Sequence, residues 1–396
     1  MSEQEFIVSM DIGTRTVIGM AGARDGETIK ISAWSLEEHR ERAMFDGQVH
    51  DVEQVAKAVR KVKASLEAQI GCEIKKVSVA AAGRSLRTYK VVVERDIDPK
   101  FEIERDTVSS LEIEGIQIAQ KEIEKKNEDH GTSYFCVGYT VINHYLNENL
   151  MGRLEGHKGS RIAVEILATF LPRVVVDSLY SVIAKAGLEV ASLTLEPIAA
   201  MNVVLHSNLR LLNVAMVDVG AGTSDIAITK GGSVVAFAMA PTAGDEITEA
   251  LAEAYLLDFA TSEKAKISLA KKAKIRFKDI MGAEYNLTSD EILEQIKPAI
   301  KNLADEISRK IEEYNGKAPS AIFLIGGGSQ IPYLPQMIAD SLGMPADRVA
   351  VRKAEIVKDV DIKNKKSLGP EFITPMGIAS TAVSYTHLRA HETVLD

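Results

Sequence analysis

The chain has 396 residues, 46% of them hydrophobic and 26% charged, with a formal net charge of −9. That is ample for two domains with cores of their own. Duplex nucleic acid demands a basic face, and no run of Lys and Arg here stands clear of acids, so a nucleic-acid partner is excluded.

Residues 1–5 are acidic and lead straight into a strand, so they are no secretory signal. No apolar run approaches the roughly 20 residues of a membrane span, and a soluble, cytoplasmic protein is expected. Residues 6–36 predict three short strands, with turn signals at Gly22 and at the hairpin dipeptide Asp25-Gly26. The first tip reads Asp11-Ile12-Gly13-Thr14, with Arg15 beside it. After Phe45-Asp46-Gly47-Gln48-Val49, Asp51 predicts an N-cap. Val55, Val59, Val62 and Leu66 then form the apolar stripe of an amphipathic helix that Gly71 ends. A strand over 77–80 closes at Gly83. Cys72 and Cys136, far apart and without metal spacing, are expected as buried thiols in a reducing compartment.

Charge is dense from 84 to about 128. Tyr89, Val91 and Val93 predict a half-exposed strand, 113–123 a helix, 127–131 a polar turn, and 134–142 and 161–171 further strands. Residues 84–172 read as an inserted subdomain, splitting a first core into 1–83 and 173–205. His130, His144 and His157 are scattered through it and are not expected to bind metal. A helix over 174–186 ends at Gly187, and a strand over 190–195 meets Glu196-Pro197, with proline at a favoured first helical position. Glu196 either faces a cleft or simply favours the helix N-terminus.

A second core, 206–382, follows. Val214-Ala215-Met216-Val217 and Ile226-Ala227-Ile228 flank Asp218-Val219-Gly220-Ala221-Gly222-Thr223-Ser224-Asp225, which predicts strand, glycine turn, strand. Ala243-Gly244-Asp245 caps a helix, and Thr261 opens another carrying Glu263 and Lys266 one turn apart. Thr288 and Glu291 form a capping box. Ile292, Ile296, Ile300, Leu303, Ile307 and Ile311 give a long core stripe, which Pro298 is expected to kink or break. The strand 321–325 runs into Gly326-Gly327-Gly328-Ser329, and a helix follows Ile331-Pro332-Tyr333-Leu334. From Val383 the texture changes. Residues 383–396 resemble a sequencing adaptor read in one frame and are taken as an artefact, with His387 and His391 discounted as a metal pair. The native chain is expected to continue past Ala382.

The two acid–glycine–hydroxyl hairpins share one grammar. A glycine turn aims backbone N–H groups at a phosphate, and an acid beside it implies a divalent cation, with Mg²⁺ bridging carboxylate and phosphate through its waters. A strand followed by three glycines lets a flat base lie against backbone. In this order the motifs resemble the two phosphate hairpins and adenosine loop of the actin-like ATPases. The resemblance implies an α/β fold of two duplicated domains around a nucleotide cleft.

The match narrows at Leu195-Glu196-Pro197-Ile198-Ala199-Ala200, Gly244-Asp245-Glu246-Ile247-Thr248, Glu263 to Lys266 and the insert. Over residues 5–382 the chain resembles FtsA, the bacterial actin-like cell-division family. That resemblance implies that the insert is the family's 1C subdomain and that ATP and Mg²⁺ are cofactors. It places Asp11 and Asp218 near Mg²⁺, and Gly13, Thr14, Gly220, Gly222 and Thr223 at the phosphates; Arg15, at the tip, either reaches a phosphate or is solvated. Glu263 and Lys266 go to the ribose, Gly326, Gly327, Gly328 and Ser329 to the base, and Glu196 to an attacking water. Ala221 stands where a third glycine is usual, and Arg15 where lysine or a polar residue is common. The implied partners are the FtsZ tail, other division proteins and further copies in a filament. The membrane is met only through a C-terminal amphipathic helix missing here, which places the full-length protein at the inner face of the membrane. ATP hydrolysis is expected to be slow at most. The rival readings are a type IV pilus assembly protein of the PilM kind, and a chaperone-like or reactivating ATPase or sugar kinase.

Overall fold

The computed structural model describes residues 6–26, 28–39, 42–82, 86–126, 132–271 and 274–385. Gly83, the 127–131 turn, His130, His387 and His391 lie outside them, as do the 83/84 boundary and most of the 383–396 tail. The chain opens with β1 (Ile7–Ile12), β2 (Thr16–Asp25), β3 (Thr28–Glu38), β4 (Met44–Phe45), β5 (Gln48–Val49), α1 (Val52–Ile70) and β6 (Lys76–Ala81). It continues through β7 (Arg87–Asp96), α2 (Arg105–Lys126), β8 (Tyr134–Leu146), β9 (Asn149–Met151) and β10 (Arg161–Pro172). Then come α3 (Arg173–Lys185), β11 (Glu189–Leu195), α4 (Glu196–Val204), α5 (Ser207–Arg210), β12 (Val214–Val219), β13 (Ser224–Lys230) and β14 (Ser233–Ala240). The rest is α6 (Gly244–Tyr255), α7 (Phe259–Leu269), β15 (Ile275–Lys278), β16 (Glu284–Leu287), α8 (Ser289–Asn315), β17 (Ala321–Ile325), α9 (Leu334–Ser341), β18 (Val349–Val351), β19 (Val360–Ile362) and α10 (Ile373–Tyr385).

Two sheets repeat one plan. In the first the order is β11-β6-β1-β2-β3-β19, and in the second β14-β13-β12-β17-β18. Each has an antiparallel three-strand meander, β1-β2-β3 or β12-β13-β14, whose first strand also pairs in parallel with a later one, β6 or β17. This is a duplicated α/β unit, and it is the actin-like fold. Residues 87–172 form a separate antiparallel sheet, β7-β10-β8-β9, with α2 against it and a core of its own.

The local signals act as their chemistry dictates. Asp51 caps α1, its carboxylate accepting from the amides of Glu53 and Gln54, and Gly71 ends the helix at φ +74°. Thr288 and Glu291 form the reciprocal cap of α8.

Four expectations need correction. First, β2 runs straight through Gly22, where its pairing with β3 shifts register, so Gly22 is no turn. Second, α7 begins at Phe259, because Asp258, not Thr261, is the cap and accepts from the Thr261 amide at 2.9 Å. Third, Pro298 does not break α8, which is one helix across it. Losing the proline N–H costs about 3 kcal/mol. Ile292 and Ile296 before it and Ile300, Leu303, Ile307 and Ile311 after it are each at most 2% exposed, and each such burial contributes about 1.5–3 kcal/mol. Fourth, Cys72 is exposed just beyond the α1 cap, and Cys136 is only partly buried.

The last segment of the second core returns to the first sheet: β19 pairs in parallel with β3, and α10 packs along α4 and β1. At their crossing, a Cβ on Gly377 would lie 2.2 Å from the carbonyl oxygen of Ala199. Side chains of α4 and α10 join residues of both sheets, such as Met20 and Met216, in one shared core.

Candidate nucleotide site

Both hairpins close in the same way. In the first, Asp11 pairs with Ile18, and the Gly13 amide donates to Thr16 O at 3.0 Å. In the second, Asp218 pairs with Asp225, and the Gly220 amide donates to Thr223 O at 3.0 Å. The first glycine amide of each tip thus closes the turn instead of facing a ligand. The amides of Thr14, Arg15, Ala221 and Gly222 donate to no internal acceptor among the described residues and are the ones left for an anion.

A third element lies between the tips. Asp46 (φ +46°) and Gly47 (φ +73°) form the left-handed two-residue turn joining β4 to β5. The Gly47 amide donates to Thr14 Oγ1 at 3.0 Å. A Cβ on Gly222 would fall 2.8 Å from the Asp46 backbone, so only glycine lets the second tip come this close. The Asp46-Gly47 dipeptide is visible in the sequence as a hairpin turn, but its place against both tips is not.

Behind the tips stand four carboxylates: Asp11, Asp218, Glu196 and Asp225. Burial first, and then Asp218, raises the Asp11 pKa to about 7. Burial raises that of Asp218 to about 6, opposed by a hydrogen bond from Thr374. Glu196 is pushed well above the usual carboxylate range by burial and then by Asp11, Asp225 and Asp218. Asp11 Oδ1 is buried without a hydrogen-bond partner among the described residues. Sequence reasoning overlooked Asp225, although it closes the octapeptide. Asp218 and Asp225 sit directly opposite on adjacent strands, where like charges destabilise a sheet. No three acidic, His or Cys side chains converge as a chelating set among the described residues.

Several expected contact residues are already engaged. Arg15 pairs with Asp245 of α6 at 2.5 Å and stacks over Phe259, 4.5 Å from the ring centroid. Arg42 joins it, bonding Glu249 at 2.9 Å and lying 4.6 Å over the same ring. Arg15 therefore ties the first hairpin to the second half of the molecule. Glu263 and Lys266 pair with each other at 2.7 Å, and Thr248 bonds both. In the glycine loop, Gly326 (φ +79°) abuts Asp218: a Cβ there would lie 2.2 Å from Oδ1. A Cβ on Gly328 would meet Val219 and Gly220, whereas Gly327 faces open space. Ser329 is buried and gives its hydroxyl proton to Gly326 O. Gly326 and Gly328 thus pack against β12 and its turn, whereas the face of Gly327 is open.

The family described as cell division protein FtsA matches residues 215–377. The cell division protein FtsA of Pseudomonas aeruginosa is 25% identical over 361 residues, covering 86% of this chain and 82% of the relative. Among solved structures, the PilM–PilN type IV pilus biogenesis complex superposes with TM-score 0.69 at 17% identity, covering 96% of this chain and 99% of the other. MreB5 of Spiroplasma citri bound to ADP gives TM-score 0.52 at 14% identity, covering 98% and 99%. With its duplicated sheets and these matches, the chain has the actin-like fold and is similar to FtsA along most of its length.

Proposed function

We propose that this protein is an ATP-binding, actin-like scaffold of bacterial cell division that polymerises beneath the membrane and links the FtsZ ring to it. The observation that carries the reading is the pair of matching glycine hairpins with buried acids behind their tips, in a chain similar to FtsA. We divide the protein into a first core (1–83 and 173–205), a 1C-like insert (84–172) and a second core (206–382).

Asp11 and Asp218 would hold Mg²⁺, whose charge offsets that of the phosphates. The tip amides, with Gly13, Thr14, Gly220, Gly222 and Thr223, would cradle the phosphates, and Gly327 would lie under the base. Glu263 and Lys266 reach a ribose by giving up part of their mutual pairing. Glu196, set among the other acids, would orient water. Burial and the neighbouring acids push its carboxyl well above the usual carboxylate range, and a bound cation would oppose that shift. Hydrolysis is expected well below the roughly 1–10³ s⁻¹ usual for enzymes. Glu196→Gln should lower whatever rate exists and leave ATP binding intact; an unchanged rate would remove Glu196 from the chemistry.

The second reading is a pilus-assembly platform of the PilM kind, favoured by the superposition on the PilM–PilN complex over nearly the whole of both chains. Co-sedimentation separates the two. The division reading expects this protein to pellet with FtsZ filaments and to release them when the FtsZ tail peptide is added. Failure to bind FtsZ, with capture of a PilN-type peptide instead, would favour the pilus reading.

A further inference from the structure

The hydroxyl of a helical threonine commonly gives its proton to the carbonyl four residues back. Thr381 of α10 does so, bonding Gly377 O at 2.8 Å. Thr374, in the first turn of the same helix, does not: its hydroxyl donates to Asp218 Oδ2 at 2.5 Å, 156 positions away in the chain. Thr374 is 4% exposed and Asp218 9%. The other carboxylate oxygen of Asp218 lies against Gly326, so the group is wedged between the glycine loop and the start of α10. The same turn touches the elements that carry the other acids. Pro375 O accepts from the hydroxyl of Ser9, two residues before Asp11 on β1, at 3.1 Å. Gly377 abuts Ala199 of α4, the helix that Glu196 begins.

We propose that Thr374 is a positioning residue: its hydroxyl fixes the orientation of the Asp218 carboxylate and thereby the metal end of the nucleotide site. This rests on the nucleotide reading given above. A threonine needed only for packing could be replaced by valine, which has the same shape. A hydroxyl aimed at a buried carboxylate cannot, because the carboxylate then loses the donor that sets its rotamer.

The test is a Mg²⁺ titration of the ATP-induced rise in melting temperature, on the full chain, for wild type, Thr374→Val and Thr374→Ser. Thr374→Val should raise the Mg²⁺ midpoint about tenfold, as expected for losing a hydrogen bond to a charged group. Its response to ATP in EDTA should match wild type, and Thr374→Ser should restore the wild-type midpoint. If the valine variant does not fold, Thr374→Ala against Thr374→Ser gives the same comparison. Equal Mg²⁺ midpoints with and without the hydroxyl would overturn the proposal and leave the nucleotide site standing. No response of wild type to ATP would overturn both.

Discussion

Asp11→Asn should make the ligand-free protein more stable at pH 8. Asp11 sits among acids with a buried, unpartnered Oδ1, and its pKa rises from 3.8 to about 7 in the folded protein. The folded state therefore holds more protons than the unfolded chain between those values. Stability from this group is full at low pH and is lost as pH rises through the window. Asp218, raised to about 6, acts in the same direction. The melting temperature without ligand should thus climb as pH falls from 8 towards 6. Asn at position 11 should raise it at pH 8 by an amount equivalent to about 2 kcal/mol and flatten the slope. The same variant should lose the Mg²⁺-dependent part of any nucleotide response. A destabilised variant with an unaltered pH profile would mean that Asp11 is satisfied by contacts not seen here.

The second large effect separates neighbouring glycines. Gly326→Ala must place a Cβ where Asp218 Oδ1 and Val219 O already lie, at a backbone φ of +79°. Left-handed strain costs about 1–2 kcal/mol and overpacking about 1–3 kcal/mol more, so a loss of about 3 kcal/mol is expected in chemical unfolding. Gly327→Ala meets nothing within 4 Å, so it should leave stability within about 0.5 kcal/mol and weaken nucleotide binding. If both variants behaved alike, the division of the loop into packing and binding glycines would be wrong.

What was legible in the sequence is what short-range chemistry decides. Asp51 and Thr288 announced their caps, the Ile292-to-Ile311 stripe announced a buried face, and both hairpin tips stood at the ends of apolar runs. Pro298 does not break α8, because the buried stripe on either side of it outweighs the local cost. The pairings that close the molecule were not legible. Val360 lies beside Ile29, Thr374 against Asp218, and Arg15 against Asp245. A three-residue strand, or a lone threonine, has no periodicity that could name a partner more than a hundred residues away. Arg15 shows the difference well: its position at a hairpin tip suggested phosphate or solvent, and only the fold brings α6 and Phe259 to it.

The cleft itself can be tested by calorimetric titration of the purified protein with ATP, with and without Mg²⁺. Saturable binding that tightens when Mg²⁺ is present, and that Asp218→Ala reduces chiefly in its Mg²⁺-dependent part, is the expected result. No binding at millimolar ATP, or binding indifferent to both the metal and Asp218, would contradict a nucleotide site between these hairpins.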